Sequence, residues 1–298
     1  MEKNKDDRKT LKEDAEKRGE KVMLARKETP KKQGKKEILK EKPLKNTRKI
    51  GVIILEMVGM TVWAGASIFI SGIIFSFLFA LIFGVNFSND NIISSFYSLF
   101  YYVFAVILAI LGPILVKNKL KKSSGGEKSD LRVELGLREL PTWTDIGLSI
   151  VGLIMTVFIA TGVSSLLSNF SWFDAEETQT LIFSFSMKNV EKVAIFISLV
   201  IIAPIAEELI FRGWLYGKLR EKSFKNMPEI ISIIVSTLIV SILFGVIHGQ
   251  WNVGVTVFIM SIIMCGMREI TGTIYAGILL HMLKNGIAFF MVYILGVG

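Results

Sequence analysis

Apolar residues fall into long runs near 50–84, 92–116, 143–167, 190–216, 230–248, 252–267 and 272–297, separated by short polar stretches. About 20 apolar residues are needed to cross the hydrocarbon core of a bilayer as a helix. The pattern therefore predicts an all-α, polytopic membrane bundle of about seven transmembrane helices. The first run is too long for a straight crossing, so it tilts, protrudes or breaks at a glycine such as Gly72. "SSGGEKS" at 123–129 reads as a flexible turn, and "ELPTW" at 139–143, with Pro141 and Thr142, opens the third helix. No solenoid repeat is visible.

Composition agrees with the pattern. Hydrophobic residues make up 51% of the 298 and the mean hydropathy is +0.52, which excludes an ordinary soluble domain. The single cysteine, Cys265, sits in an apolar run, so neither a disulfide framework nor a cysteine zinc site is available.

Charge adds an organisation that hydropathy does not show. Residues 1–49 hold 19 Lys+Arg against 10 Asp+Glu, and this excess equals the whole net charge of +9. With little apolar content to bury, that stretch reads as a charged, disordered or partly helical cytoplasmic arm able to meet anionic lipid headgroups. Its mixed charges without aromatic partners argue against nucleic acid. The chain thus divides into the arm (1–49), N-terminal membrane helices with a cytoplasmic loop (50–142), and a membrane core (143–298). Lys and Arg cluster in the 117–142 and 217–229 loops, while Asp174, Glu176 and Glu177 mark another loop. The positive-inside rule then places the N-terminus in the cytoplasm. Glu56, near the start of the first run, reads as a snorkelling or capping residue.

The fourth run contains "APIAEELIFRG", residues 203–213, with Glu207, Glu208 and Arg212 at membrane depth. A charge at the centre of a spanning helix costs about 2.5–3.5 kcal/mol on insertion scales, so these three must face protein or water. Glu208 and Arg212, four residues apart, share a helix face in the order that favours an ion pair. Glu207 is turned about 100° away and needs a partner on another helix. The chain has two histidines, His248 and His281, and both fall in apolar runs. "FGVIH" sets Phe244 one turn before His248, and "HMLKN" sets His281 and Asn285 on one face as two donors.

These groups suit water-mediated peptide hydrolysis. A desolvated Glu207 can take a proton from water, an imidazole can share that water or protonate the leaving amine, and His281 with Asn285 can donate to an oxyanion. Neither "HExxH" nor a "GxSG" loop occurs, and no aspartate is expected in an apolar run. A zinc ion held by Glu207, His248 and His281 is the alternative, though the base would then be Glu208, which its pairing with Arg212 disfavours.

The motifs "EELIFR", "FGVIH" and "HMLKN" match EExxxR, FxxxH and HxxxN in order. Over about residues 190–290 the chain resembles the CPBP family of intramembrane proteases, which includes type II CAAX prenyl endopeptidases and bacterial Abi or lysostaphin-resistance-like proteins. The resemblance implies that Glu207 activates water with His248, that His281 and Asn285 support the oxyanion, and that Glu208 and Arg212 hold the helix. The implied substrate is a membrane-associated peptide or protein. Ile, Lys and Asn usage suggests a bacterial cell membrane. The rival reading is a non-enzymatic immunity or scaffold protein, of the bacteriocin self-immunity kind, built on the same bundle.

Overall fold

The computed structural model describes residues 50–120, 130–138, 140–174, 188–224 and 227–296. The charged arm, the "SSGGEKS" turn and the Glu176–Glu177 stretch lie outside the described residues. The described residues form one compact unit with no strand among them. Seven helices are long and apolar enough to cross a membrane: α1 (Ile50–Phe83), α2 (Asn91–Leu120), α3 (Trp143–Leu167), α4 (Asn189–Glu221), α5 (Glu229–Val246), α6 (Trp251–Thr271) and α7 (Tyr275–Ile294). Even α5, with 18 residues, reaches about 27 Å at 1.5 Å per residue. This is the polytopic bundle that the apolar runs predict.

α1 is one unbroken helix of 34 residues, so the break at Gly72 is not realised. Leu55, Val62, Phe69, Phe77 and Leu81 remain exposed on it, while Ala64, Ser67 and Ser71 turn inward. Small residues on the buried face let helices approach where no aqueous hydrophobic drive operates between them. The hydroxyls of Ser67 and Ser71 donate to carbonyls one turn back, Trp63 O at 2.7 Å and Ser67 O at 2.6 Å.

Two prolines inside spans free backbone carbonyls, and side chains of neighbouring helices take them up, as a water-free setting demands. Pro113 in α2 cannot donate to Ala109 O, which instead accepts from the Trp63 indole of α1 at 3.2 Å. In α4 the turns at Ile197–Ile202 are wide, π-type turns, and Ala203 N–H reaches back to Ser198 O. In that register Pro204 leaves Leu199 O without a backbone donor. The Asn285 amide of α7 donates to it at 2.9 Å.

α4 is the central helix. Every residue from Ile210 to Tyr216 is buried, which requires neighbours on all sides. A second wide stretch covers Leu209–Tyr216, so the two glutamates lie on a short ordinary segment, Ala203–Glu208, between two π-type ones. Such turns are rare and collect at functional sites.

α5 and α6 form a tight hairpin. A β-carbon on Gly245 would come within 3.0 Å of Gly254 O, and one on Gly254 within 3.1 Å of Gly245 O, so the two backbones touch. Gly249, with φ of +71°, turns the chain between them. α3 packs on α6 and α7 through Gly152, where any side chain would strike Met267 and Leu280.

Thr142 caps α3 in a reciprocal box with Asp145, as the "LPTW" stretch predicts. Asp145 corrects one expectation. It lies inside the third span, is 2% exposed, and also accepts from Thr273 Oγ1 at 3.3 Å. A buried intramembrane carboxylate does exist there, but the cap and the threonine hydroxyls occupy its oxygens. At one end of the bundle Lys218 pairs with Glu134, Arg220 binds Glu269 through two nitrogens at 3.0 and 3.1 Å, and Arg268 donates to Gly213 O and Glu134 O. The basic residues of the 130–138 and 217–224 stretches therefore share an end, while Trp172, beside Asp174, meets Trp251 across the α5–α6 turn.

Candidate active site

The charged triplet separates as the helical spacing requires. Arg212 Nη1 donates to Glu208 Oε1 at 2.8 Å, with both side chains almost fully buried. The Arg212 guanidinium also lies 4.3 Å over the Phe244 ring. Phe244 is thus a cation–π floor as well as a wall. Glu207 points elsewhere. Its Oε1 accepts from the Tyr102 hydroxyl of α2 at 2.9 Å, and its buried Oε2 has no hydrogen-bond partner but lies 3.9 Å from His281 Nε2.

His281 reaches both glutamates. Its Nδ1 meets Glu208 Oε1 at 3.4 Å while Nε2 faces Glu207. A carboxylate on one imidazole nitrogen fixes which nitrogen is presented on the other side. Gly277, one turn before His281, makes room for this: a β-carbon there would sit 3.1 Å from Glu208 Oε2. Gly277→Ala is expected to push Glu208 and His281 apart and lower turnover about ten- to a hundredfold, checked by steady-state kinetics beside an unfolding curve.

His248 does not lie in the helix assigned to it by periodicity. α5 ends at Val246 with Ile247 as its cap, and His248 begins the turn that Gly249 completes. The ring still meets Phe244, with centroids 5.0 Å apart, and Phe244 meets His281 at 5.9 Å. Both imidazoles therefore flank one aromatic ring. His248 Nδ1 lies 2.7 Å from Phe244 O; a carbonyl can only accept, so Nδ1 carries the proton and Nε2 offers a lone pair. Burial pushes this imidazole below its ordinary pKa, opposed by the charge of Glu207.

Asn285, one turn after His281 on the same helix, spends one amide hydrogen on Leu199 O at 2.9 Å, the carbonyl that Pro204 cannot serve. Its second amide hydrogen is the one that could reach a substrate. Among the described residues no group of three His, Cys, Asp or Glu side chains gathers as a metal-binding set.

Two residues escaped the sequence reading. Tyr102 binds Glu207 directly. Lys284 lies within electrostatic range of Glu207 and His248. "HMLKN" contains Lys284 in plain view, and an intramembrane lysine is itself a signal of function.

Residues 189–287 match the family model for type II CAAX prenyl endopeptidase Rce1-like proteins. That is the relationship the three motifs anticipate. The Rce1-like segment runs from the start of α4 into α7 and contains Glu207, Glu208, Arg212, Phe244, His248, His281 and Asn285. Tyr102 lies outside it. No curated protein and no solved structure matches the chain significantly.

Proposed function

We propose that this chain is an intramembrane endopeptidase that hydrolyses a peptide bond of a membrane-associated peptide or protein. The observation that carries the reading is the pairing of Glu207 Oε2 with His281 Nε2 at 3.9 Å. That gap is too long for a direct hydrogen bond and short enough for one water molecule to touch both atoms. Glu207 takes a proton from the water as its oxygen attacks the scissile carbonyl, and His248 Nε2 accepts a hydrogen bond from the same water. His281, when it carries a hydrogen on both ring nitrogens, donates Nδ1–H to Glu208 and Nε2–H to the oxyanion, beside the second amide hydrogen of Asn285. When the carbon–nitrogen bond breaks, the proton taken from water passes to the leaving amine.

The Rce1-like match supports a protease at the level of the family, and the seven spans support a substrate that reaches the site from the membrane. In this reading the enzyme sits in a bacterial cell membrane with a cytoplasmic N-terminus, its arm near anionic headgroups. The test is cleavage of membrane-anchored peptides by the purified protein in liposomes, followed by mass spectrometry. Discrete cleavage is expected, and exhaustive chelation is expected to leave its rate unchanged. A rate that falls with metal removal and returns with zinc would replace glutamate catalysis by metal catalysis. No cleavage of any anchored peptide would favour the immunity or scaffold reading.

A further inference from the structure

Tyr102 belongs to α2, which the Rce1-like segment does not include, yet it makes the direct side-chain hydrogen bond to the glutamate of the site. The contact is the last rung of a seam. Asn91 Nδ2 donates to Glu191 Oε2 at 2.8 Å, Ser198 Oγ donates to Ser95 O at 3.2 Å, and Tyr102 Oη donates to Glu207 Oε1 at 2.9 Å. On α2 these positions are spaced 4 and 7 apart, so they share one helical face. On α4 they descend from Glu191 through Ser198 to Glu207, so the two helices run in the same direction. α2 is docked on α4 by polar contacts in a fixed register.

That register matters to the carboxylate. A glutamate side chain has three torsions to fix, and a buried carboxylate that swings by an ångström loses its aim. Tyr102 holds Oε1, and the Tyr101 ring packs against Tyr102 with centroids 4.7 Å apart at 63°, which limits the phenol in turn. With Oε1 engaged, Oε2 is the oxygen directed at His281.

We infer that Tyr102 is a positioning residue for Glu207: it tethers one carboxylate oxygen so that the other addresses the reacting water. The inference rests on Glu207 acting as the base. It makes α2, outside the family match, part of the catalytic apparatus.

The experiment uses the full chain in liposomes and records kcat and KM for the natural protein and for Tyr102→Phe, which keeps the ring and its packing on Tyr101. Loss of one hydrogen bond to a charged group predicts a fall in kcat of about ten- to a hundredfold, with KM nearly unchanged. Fluorotyrosine placed at 102 supplies a second arm of almost the same size. Its phenol still donates to Glu207, so kcat should stay close to that of the natural protein.

A fall in kcat with Tyr102→Phe that the fluorotyrosine replacement restores is the expected result. A kcat unchanged by Tyr102→Phe, while Glu207→Gln is inactive, overturns the tether and leaves the proposed reaction standing. If Glu207→Gln is as active as the natural protein, the base assignment falls and the tether falls with it.

Discussion

Glu207→Gln is expected to lower turnover by about 10²–10⁴-fold, the range that a positioned general base contributes, while leaving insertion and folding unchanged. The amide is nearly isosteric with the carboxylate. It can still accept from Tyr102 through its carbonyl oxygen and present its nitrogen toward His281, so the packing of α2, α4 and α7 survives. What it cannot do is accept a proton from water. Single-turnover cleavage of an anchored peptide, measured beside an unfolding curve of the same preparation, checks both halves. Undiminished turnover would remove Glu207 from the chemistry whatever its surroundings.

The second large effect concerns stability. Arg212→Ala is expected to cost about 3–5 kcal/mol, because it leaves the Glu208 carboxylate buried without its cation. Glu208 is wholly enclosed and Arg212 is 1% exposed, so water cannot replace the missing partner. The loss also strips the cation from the face of Phe244. Equilibrium unfolding in mixed micelles reads the change directly. The double replacement Arg212→Leu with Glu208→Leu should recover most of the stability, since well-packed apolar side chains of similar volume do as well as a buried ion pair. It should not recover activity, because His281 Nδ1 would lose the carboxylate that orients the ring. A double variant as unstable as the single one would argue that Arg212 matters through contacts other than the pair.

The bundle was legible because membrane helices announce themselves by long apolar runs, and because every backbone polar group within them must bond locally. The Glu208–Arg212 pair was legible for the same local reason: four residues along one helix fix the geometry without help from the rest of the fold. The divergence of Glu207 from Glu208 also followed from the turn of a single helix. What could not be read were relations between helices. Nothing in "HMLKN" says that Asn285 bonds Leu199 O, because that contact depends on Pro204 and on a wide turn that widens the register from four residues to five. Nor does periodicity show that α5 stops at Val246 and leaves His248 in the turn. Tyr102 left a faint trace. Asn91, Ser95, Ser98 and Tyr102 form a polar stripe at spacings of 4, 3 and 4, the mark of a face that meets another helix rather than lipid.

The bonds that cross from α1 and α2 to the prolines and to α4 bear on what counts as a minimal protein. The family match over residues 189–287 marks motifs, not a self-sufficient machine. Cut at Asn189, α4 would lose the rungs at Asn91, Ser95 and Tyr102 that set its depth, and Glu207 Oε1 would lose the phenol whose hold aims the other oxygen. Grafting, truncation or design on this scaffold should therefore begin no later than Ile50, where the helix that braces α2 through Trp63 starts.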